Sequence, residues 1–229
     1  MEKSQHSYPR HLGFIVDGNR RWAKNKNLPT LKGHQQGLKK VEMVIEELAK
    51  TPVKFASFYL FSTENWQRSP EEVNYLMNMA KNEILKLAKK MAKNNIKCLI
   101  LGSTEKIEPQ LLKKLHTAET LTQNSTGLTV GICFNYGGQQ EIIDTAKKIA
   151  TKSLPWDSQV FSQHLYQPEI PPIDMIIRTS GEQRLSGFML WRSAYAELLF
   201  LSKHFPDLTP DDVQNILQTY QNRSRRFGK

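Results

Sequence analysis

The chain has 229 residues, of which 39% are hydrophobic and 24% charged, and it carries a formal net charge of +10. That mixture excludes a disordered chain, and no apolar run approaches the ~20 residues that cross a bilayer. The charge surplus leaves three classes of partner open: nucleic acid, an anionic membrane surface, or a phosphate-rich substrate.

The polar start, Met1 to Arg10, has no apolar core of a signal peptide, and Cys98 and Cys133 are too few for a disulfide scaffold or a cysteine metal site. The expectation is one domain over residues 1–229, kept in a reducing cytoplasm. Leu12 to Val16 reads as a buried strand that runs into Asp17-Gly18. Lys32 to Lys50 has helical spacing, and Lys54 to Phe61 is a second strand. Ser69-Pro70-Glu71-Glu72 opens a long helix with a cap, a proline at its first position and early carboxylates; its apolar stripe continues to Met91.

A third strand spans Ile96 to Leu101, a helix Pro109 to Leu121, a fourth strand Leu128 to Asn135 and a helix Gly138 to Ala150. Lys152 to Pro172 reads as an irregular excursion. Asp174 to Arg178 and Leu198 to Leu201 are the last strands, and Thr209-Pro210-Asp211-Asp212 caps a final helix. This alternation predicts an α/β fold: a mainly parallel central sheet of about six strands with helices on both faces. Ligands of such sheets bind outside the carboxyl ends of the strands.

Polar, function-like residues cluster at those ends. In Asp17-Gly18-Asn19-Arg20-Arg21-Trp22 the glycine lets backbone N–H groups approach a bulky anion, and the arginines add bidentate grip on phosphate. Asp17 would repel a naked phosphate, so a cation between them is implied, and magnesium bridges carboxylates and phosphates in this way. The plain alternative, an Asp-Gly turn with solvated arginines, explains a fragment of the string better than the whole. Gly33-His34 reads as a helix start whose histidine faces phosphate, although a lone histidine is more often structural. Ser62-Thr63-Glu64-Asn65-Trp66-Gln67-Arg68 could orient a substrate or be an ordinary polar loop with a buried tryptophan.

Arg178-Thr179-Ser180-Gly181-Glu182-Gln183-Arg184-Leu185-Ser186 resembles a second diphosphate cradle, and two cradles suggest two diphosphates joined in a condensation. Glu197 stands in an apolar run, either as a second magnesium ligand or as a paired core glutamate.

On these strings, with Asn135-Tyr136-Gly137-Gly138, Tyr195-Ala196-Glu197-Leu198 and Arg225-Arg226-Phe227-Gly228, the chain resembles the cis-prenyltransferase family over nearly its whole length. The resemblance implies a homodimeric enzyme of the undecaprenyl diphosphate synthase type. Such an enzyme adds isopentenyl diphosphate to an allylic diphosphate such as farnesyl diphosphate. Its long cis-polyprenyl product is the carrier-lipid precursor for cell-wall glycans.

By the same resemblance Asp17 and Glu197 bind magnesium, and Asp17 and Asn65 are catalytic. Gly18, Asn19, Arg20, Arg21, Trp22 and His34 hold the allylic substrate, with Ser62, Thr63, Glu64, Trp66 and Arg68 beside them. Arg178, Arg184, Leu185 and Ser186 hold isopentenyl diphosphate, joined by Arg226 and Gly228 reaching across the dimer. Product release implies transient contact with the inner face of the membrane.

Thr30, Gln139, Gly187 and Leu38 depart from the family's usual residues, and Arg20 or Lys32 supplies charge in place of an arginine at Thr30. Two rivals are a noncatalytic partner subunit of the same fold, disfavoured by Asp17, Asn19 and Arg21, and a nucleic-acid-binding protein. The second is disfavoured because the arginines gather at strand ends and not along one face.

Overall fold

The structure is a computed structural model that describes residues 8–223. Six strands form one all-parallel sheet in the order β3-β4-β2-β1-β5-β6. They are β1 (His11–Ile15), β2 (Phe55–Ser62), β3 (Lys97–Leu101), β4 (Thr129–Tyr136), β5 (Met175–Arg178) and β6 (Glu197–Phe200). The helices are α1 (Asn19–Asn25), α2 (Thr30–Ala49), α3 (Pro70–Lys93), α4 (Pro109–Thr122), α5 (Gly138–Thr151), α6 (Ser158–His164) and α7 (Pro210–Gln221).

The central strands are apolar on both faces because both are covered. Leu12 and Phe14 of β1, Ala56 and Phe58 of β2 and Val130 and Ile132 of β4 pack under α2, α3, α4 and α7 in the larger core. Ile15, Tyr59, Cys133 and Ile176 turn to the other face and meet Ile170, Ile173, Phe188 and Met189. A bulge between Tyr59 and Ser62 shifts β2 against β4 just before the carboxyl edge.

Helix ends follow from their caps. Ser69 accepts from the N–H of Glu72, Pro70 occupies the first turn of α3, and Lys90 and Lys93 close its last turn. Thr209 and Asp212 form a reciprocal capping box at α7.

Most strand and helix boundaries fall within two residues of the sequence expectation. Two helices were not expected. The string from Asp17 to Trp22, read as a phosphate-binding loop, is helical from Asn19 onward, with Gly18 at φ 103° as the N-cap of α1. Within the stretch read as irregular, Asp157 caps α6 by accepting from the N–H groups of Gln159 and Val160, both at 2.9 Å.

From β1 the chain moves to β2 on one side, and later returns to place β5 on the other. The strand order therefore reverses at β1 and β5. In open α/β sheets the crevice at such a reversal is where ligands bind.

Candidate active site

Asp17 and Arg178 stand at that reversal. Asp17 follows β1, and Arg178 ends β5 in register with Ile15. The Asp17 carboxylate accepts from Arg178 Nη2 at 2.9 Å and from Arg21 Nη2 at 3.1 Å, so each oxygen has its own guanidinium. Burial works to raise the Asp17 pKa, but the hydrogen bonds and charges of Arg178 and Arg21 outweigh it and hold the carboxyl below its usual range. Arg178 is buried and donates through Nη1 to Ser186 Oγ at 2.8 Å and to the Arg184 carbonyl. Its Nε is buried with no partner among the described residues. Arg21 reaches Glu182 at 2.8 Å, and Glu182 also takes Arg184. Arg184 and Arg21 together hold Glu182 below the usual carboxylate range.

The backbone is shaped for this meeting. Gly18, Gly181 and Gly187 take positive φ without strain, whereas Ser180 and Ser186 take it at a cost, so tight turns concentrate at the sheet's carboxyl edge. A Cβ on Gly18 would lie 1.9 Å from Ser180 Oγ. The crossing of α1 over α2 needs small residues too: a Cβ on Gly33 would lie 1.9 Å from the Asn19 carbonyl oxygen, and one on Gly37 2.4 Å from Asn19 Oδ1. Gly33 thus serves helix packing.

Beside Asp17 opens a cleft of about 670 Å³ lined by Gly18, Asn19, Arg20, Arg21, Lys24, His34 and Arg68, with Leu28, Pro29 and Thr30 at one side. Its walls carry five cationic or potentially cationic side chains and, among the described lining residues, the single carboxylate Asp17. Glu72 gathers three of those side chains: Arg68 at 2.9 Å, His34 at 3.1 Å and Arg20 at 3.7 Å. Burial lowers the His34 pKa against the pull of Glu72. Arg20 is therefore placed to supply cleft charge where Thr30 does not, whereas Lys32 is not among the lining residues.

Several expected site residues have other partners. His34 is not at a helix start; α2 begins at Thr30, so its backbone N–H lies inside the helix and only the ring faces the cleft. Trp22 turns away, donating Nε1 to Asp207 Oδ1 at 2.6 Å. Trp66 packs edge-on against Phe61 and donates to Asn135 Oδ1 at 2.7 Å.

Ser62 and Asn65 cap the 3₁₀ turn Thr63–Gln67, the Asn65 amide oxygen accepting from the Ser62 N–H at 3.1 Å. Thr63 lies against Gly137, and Glu64 is exposed in the same turn; of that loop only Arg68 lines the cleft. Leu185 packs into the second core beneath the Arg184–Ser186 loop.

Glu197 is the clearest departure. It opens β6 in register with Met175, which pairs with Leu12, five residues before Asp17. At ~3.3 Å per residue that is about 16 Å along the sheet, at its opposite edge. Its carboxylate accepts from Arg223 at 2.6 Å, so within one chain Glu197 and Asp17 do not share an ion. Arg226 and Gly228 lie outside the described residues.

No group of three or more His, Cys, Asp or Glu residues suited to a metal occurs among the described residues. The donor set at Asp17, one carboxylate beside a cation-lined cleft, fits magnesium held jointly with substrate phosphates, which needs only one or two protein carboxylates.

Elsewhere, α2, α3, α4 and the sheet enclose a cavity of about 70 Å³ whose lining includes Leu38, Leu60, Phe61, Leu76, Met79 and Leu115, with Glu83 as its one charged member. Sequence reasoning missed Glu72, Lys24 and Glu83. Glu72 was legible only as a helix-start residue, since its backbone N–H takes the cap while its side chain turns to the arginines.

An all-parallel sheet whose reversal point presents a carboxylate between two arginines, opening on a cationic cleft, defines an α/β protein built to handle phosphate-bearing anions. The family model described as "Putative undecaprenyl diphosphate synthase" matches residues 15–228. The chain is 40% identical over 225 residues to the isoprenyl transferase of Thermotoga maritima, covering 96% of this chain and 97% of that one. It is 38% identical over 229 residues to the ditrans,polycis-undecaprenyl-diphosphate synthase ((2E,6E)-farnesyl-diphosphate specific) of Vibrio parahaemolyticus, covering 97% and 91%.

Among solved structures, lavandulyl diphosphate synthase from Lavandula x intermedia, in complex with dimethylallyl diphosphate, superposes with a TM-score of 0.93 at 31% identity, covering 97% and 99%. The "probable undecaprenyl diphosphate synthase" of Campylobacter jejuni gives 0.84 at 29% identity, covering 97% and 100%. The chain belongs to the cis-prenyltransferase, or isoprenyl transferase, family.

Proposed function

We propose that this protein condenses isopentenyl diphosphate onto an allylic diphosphate such as farnesyl diphosphate and repeats the step to build a long cis-polyprenyl diphosphate of the undecaprenyl class. The observation that carries the reading is the Asp17 carboxylate between Arg21 and Arg178 at the mouth of the cationic cleft.

In each cycle the allylic C1–O bond breaks and its diphosphate leaves. The isopentenyl double bond attacks C1, and a proton is lost from the isopentenyl unit. Arg20, Arg21, His34 and Arg68 line the cleft where the allylic diphosphate would sit, and donors fixed there stabilise charge as it grows on the leaving group. Magnesium, when bound, would neutralise diphosphate oxygens as a Lewis acid, with Asp17 as its protein ligand. Arg178, Arg184 and Ser186 form the neighbouring cradle for isopentenyl diphosphate. Asn65 would act there as a hydrogen-bond donor through its amide nitrogen, because its oxygen is engaged in the cap.

The cavity between α2 and α3 suits the growing hydrocarbon. The edge strand β6, with Leu198 39% exposed and Tyr195 just ahead of the strand 80% exposed, suits the expected homodimer. No helix among the described residues is long and apolar enough to cross a membrane. The enzyme would act in the cytoplasm, with transient contact with the membrane face.

The test is incorporation of labelled isopentenyl diphosphate with geranyl or farnesyl diphosphate and magnesium, with product length read by chromatography. No incorporation with either primer would overturn the assignment in favour of a noncatalytic partner subunit.

A further inference from the structure

Asp17 is held from behind by a hydrogen-bonded chain that the proposed chemistry does not use. Its backbone carbonyl takes three donors: Thr179 Oγ1 at 2.6 Å, Ser180 Oγ at 3.0 Å and the Phe205 N–H at 3.1 Å. A serine hydroxyl has one proton. Ser180 gives it to Asp17, so the 2.8 Å contact between Ser180 Oγ and His204 Nδ1 runs the other way, with Nδ1–H as donor. The opposite ring nitrogen, Nε2, lies 3.3 Å from Asn25 Nδ2. An amide nitrogen only donates, so Nε2 is the acceptor.

Both ends of the ring therefore select the same neutral tautomer. One directed chain runs from Asn25 on α1 through His204 and Ser180 to the Asp17 carbonyl. The relay presses against the turn itself, since a Cβ on Gly18 would lie 2.7 Å from His204 Nδ1. Ser180 is also held at φ 76°, a conformation that needs support from its surroundings.

We propose that His204 is a positioning residue for the transfer. It ties β6's exit loop and α1 to the Asp17–Gly18 turn through Ser180 and so fixes where the Asp17 carboxylate points. The inference rests on the reading of Asp17 given above. A plain packing histidine at the start of the 3₁₀ turn Phe205–Asp207 would need neither the tautomer nor the serine.

The experiment is steady-state kinetics of His204→Leu, His204→Asn, Ser180→Ala and the Ser180→Ala/His204→Leu double variant, with farnesyl diphosphate, isopentenyl diphosphate and magnesium. Circular dichroism confirms folding, and nitrogen NMR of the imidazole reports the tautomer. His204→Leu should lower kcat about tenfold, the scale of a slightly misplaced catalytic group, with KM for both substrates nearly unchanged. Asn, whose Nδ2 donor stands where Nδ1–H stood, should recover most of the loss. The double variant should lose no more than Ser180→Ala alone, since both break one chain.

The proposal is overturned by parental kcat in His204→Leu, by multiplying losses, by an Nε2–H tautomer, or by an Asn variant no better than Leu. Should the Leu variant not fold, retained kcat in His204→Asn with loss in Ser180→Ala decides for it and the reverse against. Full activity in Asp17→Asn would sink the parent reading. An inactive Asp17→Asn beside a normal His204→Leu sinks only this one.

Discussion

The Asp17 carboxylate and the Arg178 guanidinium meet at 2.9 Å across neighbouring parallel strands, at the point where the strand order reverses. Each belongs to a different proposed substrate cradle, so the ion pair joins the two. Asp17→Asn keeps the side chain's volume but removes the charge that faces metal and arginines. Turnover should fall about a thousandfold, on the scale of losing a central electrostatic group, with folding preserved. Near-normal kcat in a folded Asp17→Asn protein would show that this carboxylate does not serve the chemistry.

Because Asp17 is the single carboxylate among the described residues lining the cleft, and both its oxygens face arginines, the protein alone should hold magnesium poorly. Substrate oxygens must complete the coordination. EDTA should abolish incorporation and magnesium restore it. Manganese binding followed by electron paramagnetic resonance should be weak with protein alone and tighten when a nonreactive allylic thiodiphosphate is added. Equally tight manganese binding in both samples would place the ion elsewhere.

The strands were legible because their apolar runs are buried on both faces: Phe14 and Ile15 are adjacent in the chain yet enter opposite cores. Asp17 and Arg178 were legible as polar residues immediately after such runs. Helix α1 was not, because Ala23 is its only buried residue and no side chain caps it, so neither periodicity nor a start signal marks it. Glu197 could not be located from the sequence, for a geometric reason. Its apolar neighbours announce a strand, but only the register shows that it begins that strand and so lies at the far edge of the sheet. Trp22 and Trp66 read as substrate contacts because an aromatic beside arginines has no local sign of which way it turns; tertiary partners Asp207 and Asn135 decide it.

His11 gives a pH signature in stability. It is fully buried, its Nδ1 bonds the Pro171 carbonyl at 2.9 Å and its Nε2 meets Ser57 Oγ at 2.9 Å. Burial pushes its pKa down from 6.5 to about 4. Between those values the unfolded chain binds a proton that the folded protein refuses, so stability is full above pH 6.5 and falls as pH drops toward 4. At pH 5 the loss should be about 2 kcal/mol relative to pH 7, read from urea unfolding midpoints. A His11→Asn variant should show a flatter profile over that window. An identical pH dependence in both proteins would remove His11 as its source.

Glu141 and Arg192 form an ion pair at 2.8 Å with side chains only 1% and 3% exposed. Glu141 also accepts from Tyr136 OH at 2.6 Å and the Tyr166 N–H at 3.0 Å, and Arg192 donates to the Ile170 carbonyl at 3.1 Å. Breaking one side leaves a buried charge alone, so Arg192→Met should cost about 3–5 kcal/mol. The Glu141→Leu/Arg192→Met pair should cost clearly less than the sum of the single changes. Additive losses in chemical denaturation would show that the two charges do not depend on each other.

Product length should respond to Glu83. The apolar cavity between α2 and α3 shares Leu38, Met79 and Glu83 with a polar groove of about 490 Å³ whose other walls include Lys39, Glu42, Asn82 and Lys90. Glu83 therefore stands where apolar lining gives way to hydrated charge, its carboxylate bonded to Lys86 at 2.8 Å. A hydrocarbon reaching it must strip water from a carboxylate, which opposes each further isoprene unit. Glu83→Leu extends the apolar path and should shift the product distribution toward longer chains, while the rate of the first condensation stays near the parental value. Glu83→Gln, still polar but uncharged, should give a smaller shift in the same direction. Chromatography of dephosphorylated products with farnesyl diphosphate as primer reads both effects. An unchanged distribution in the leucine variant would mean that the growing chain does not pass this carboxylate.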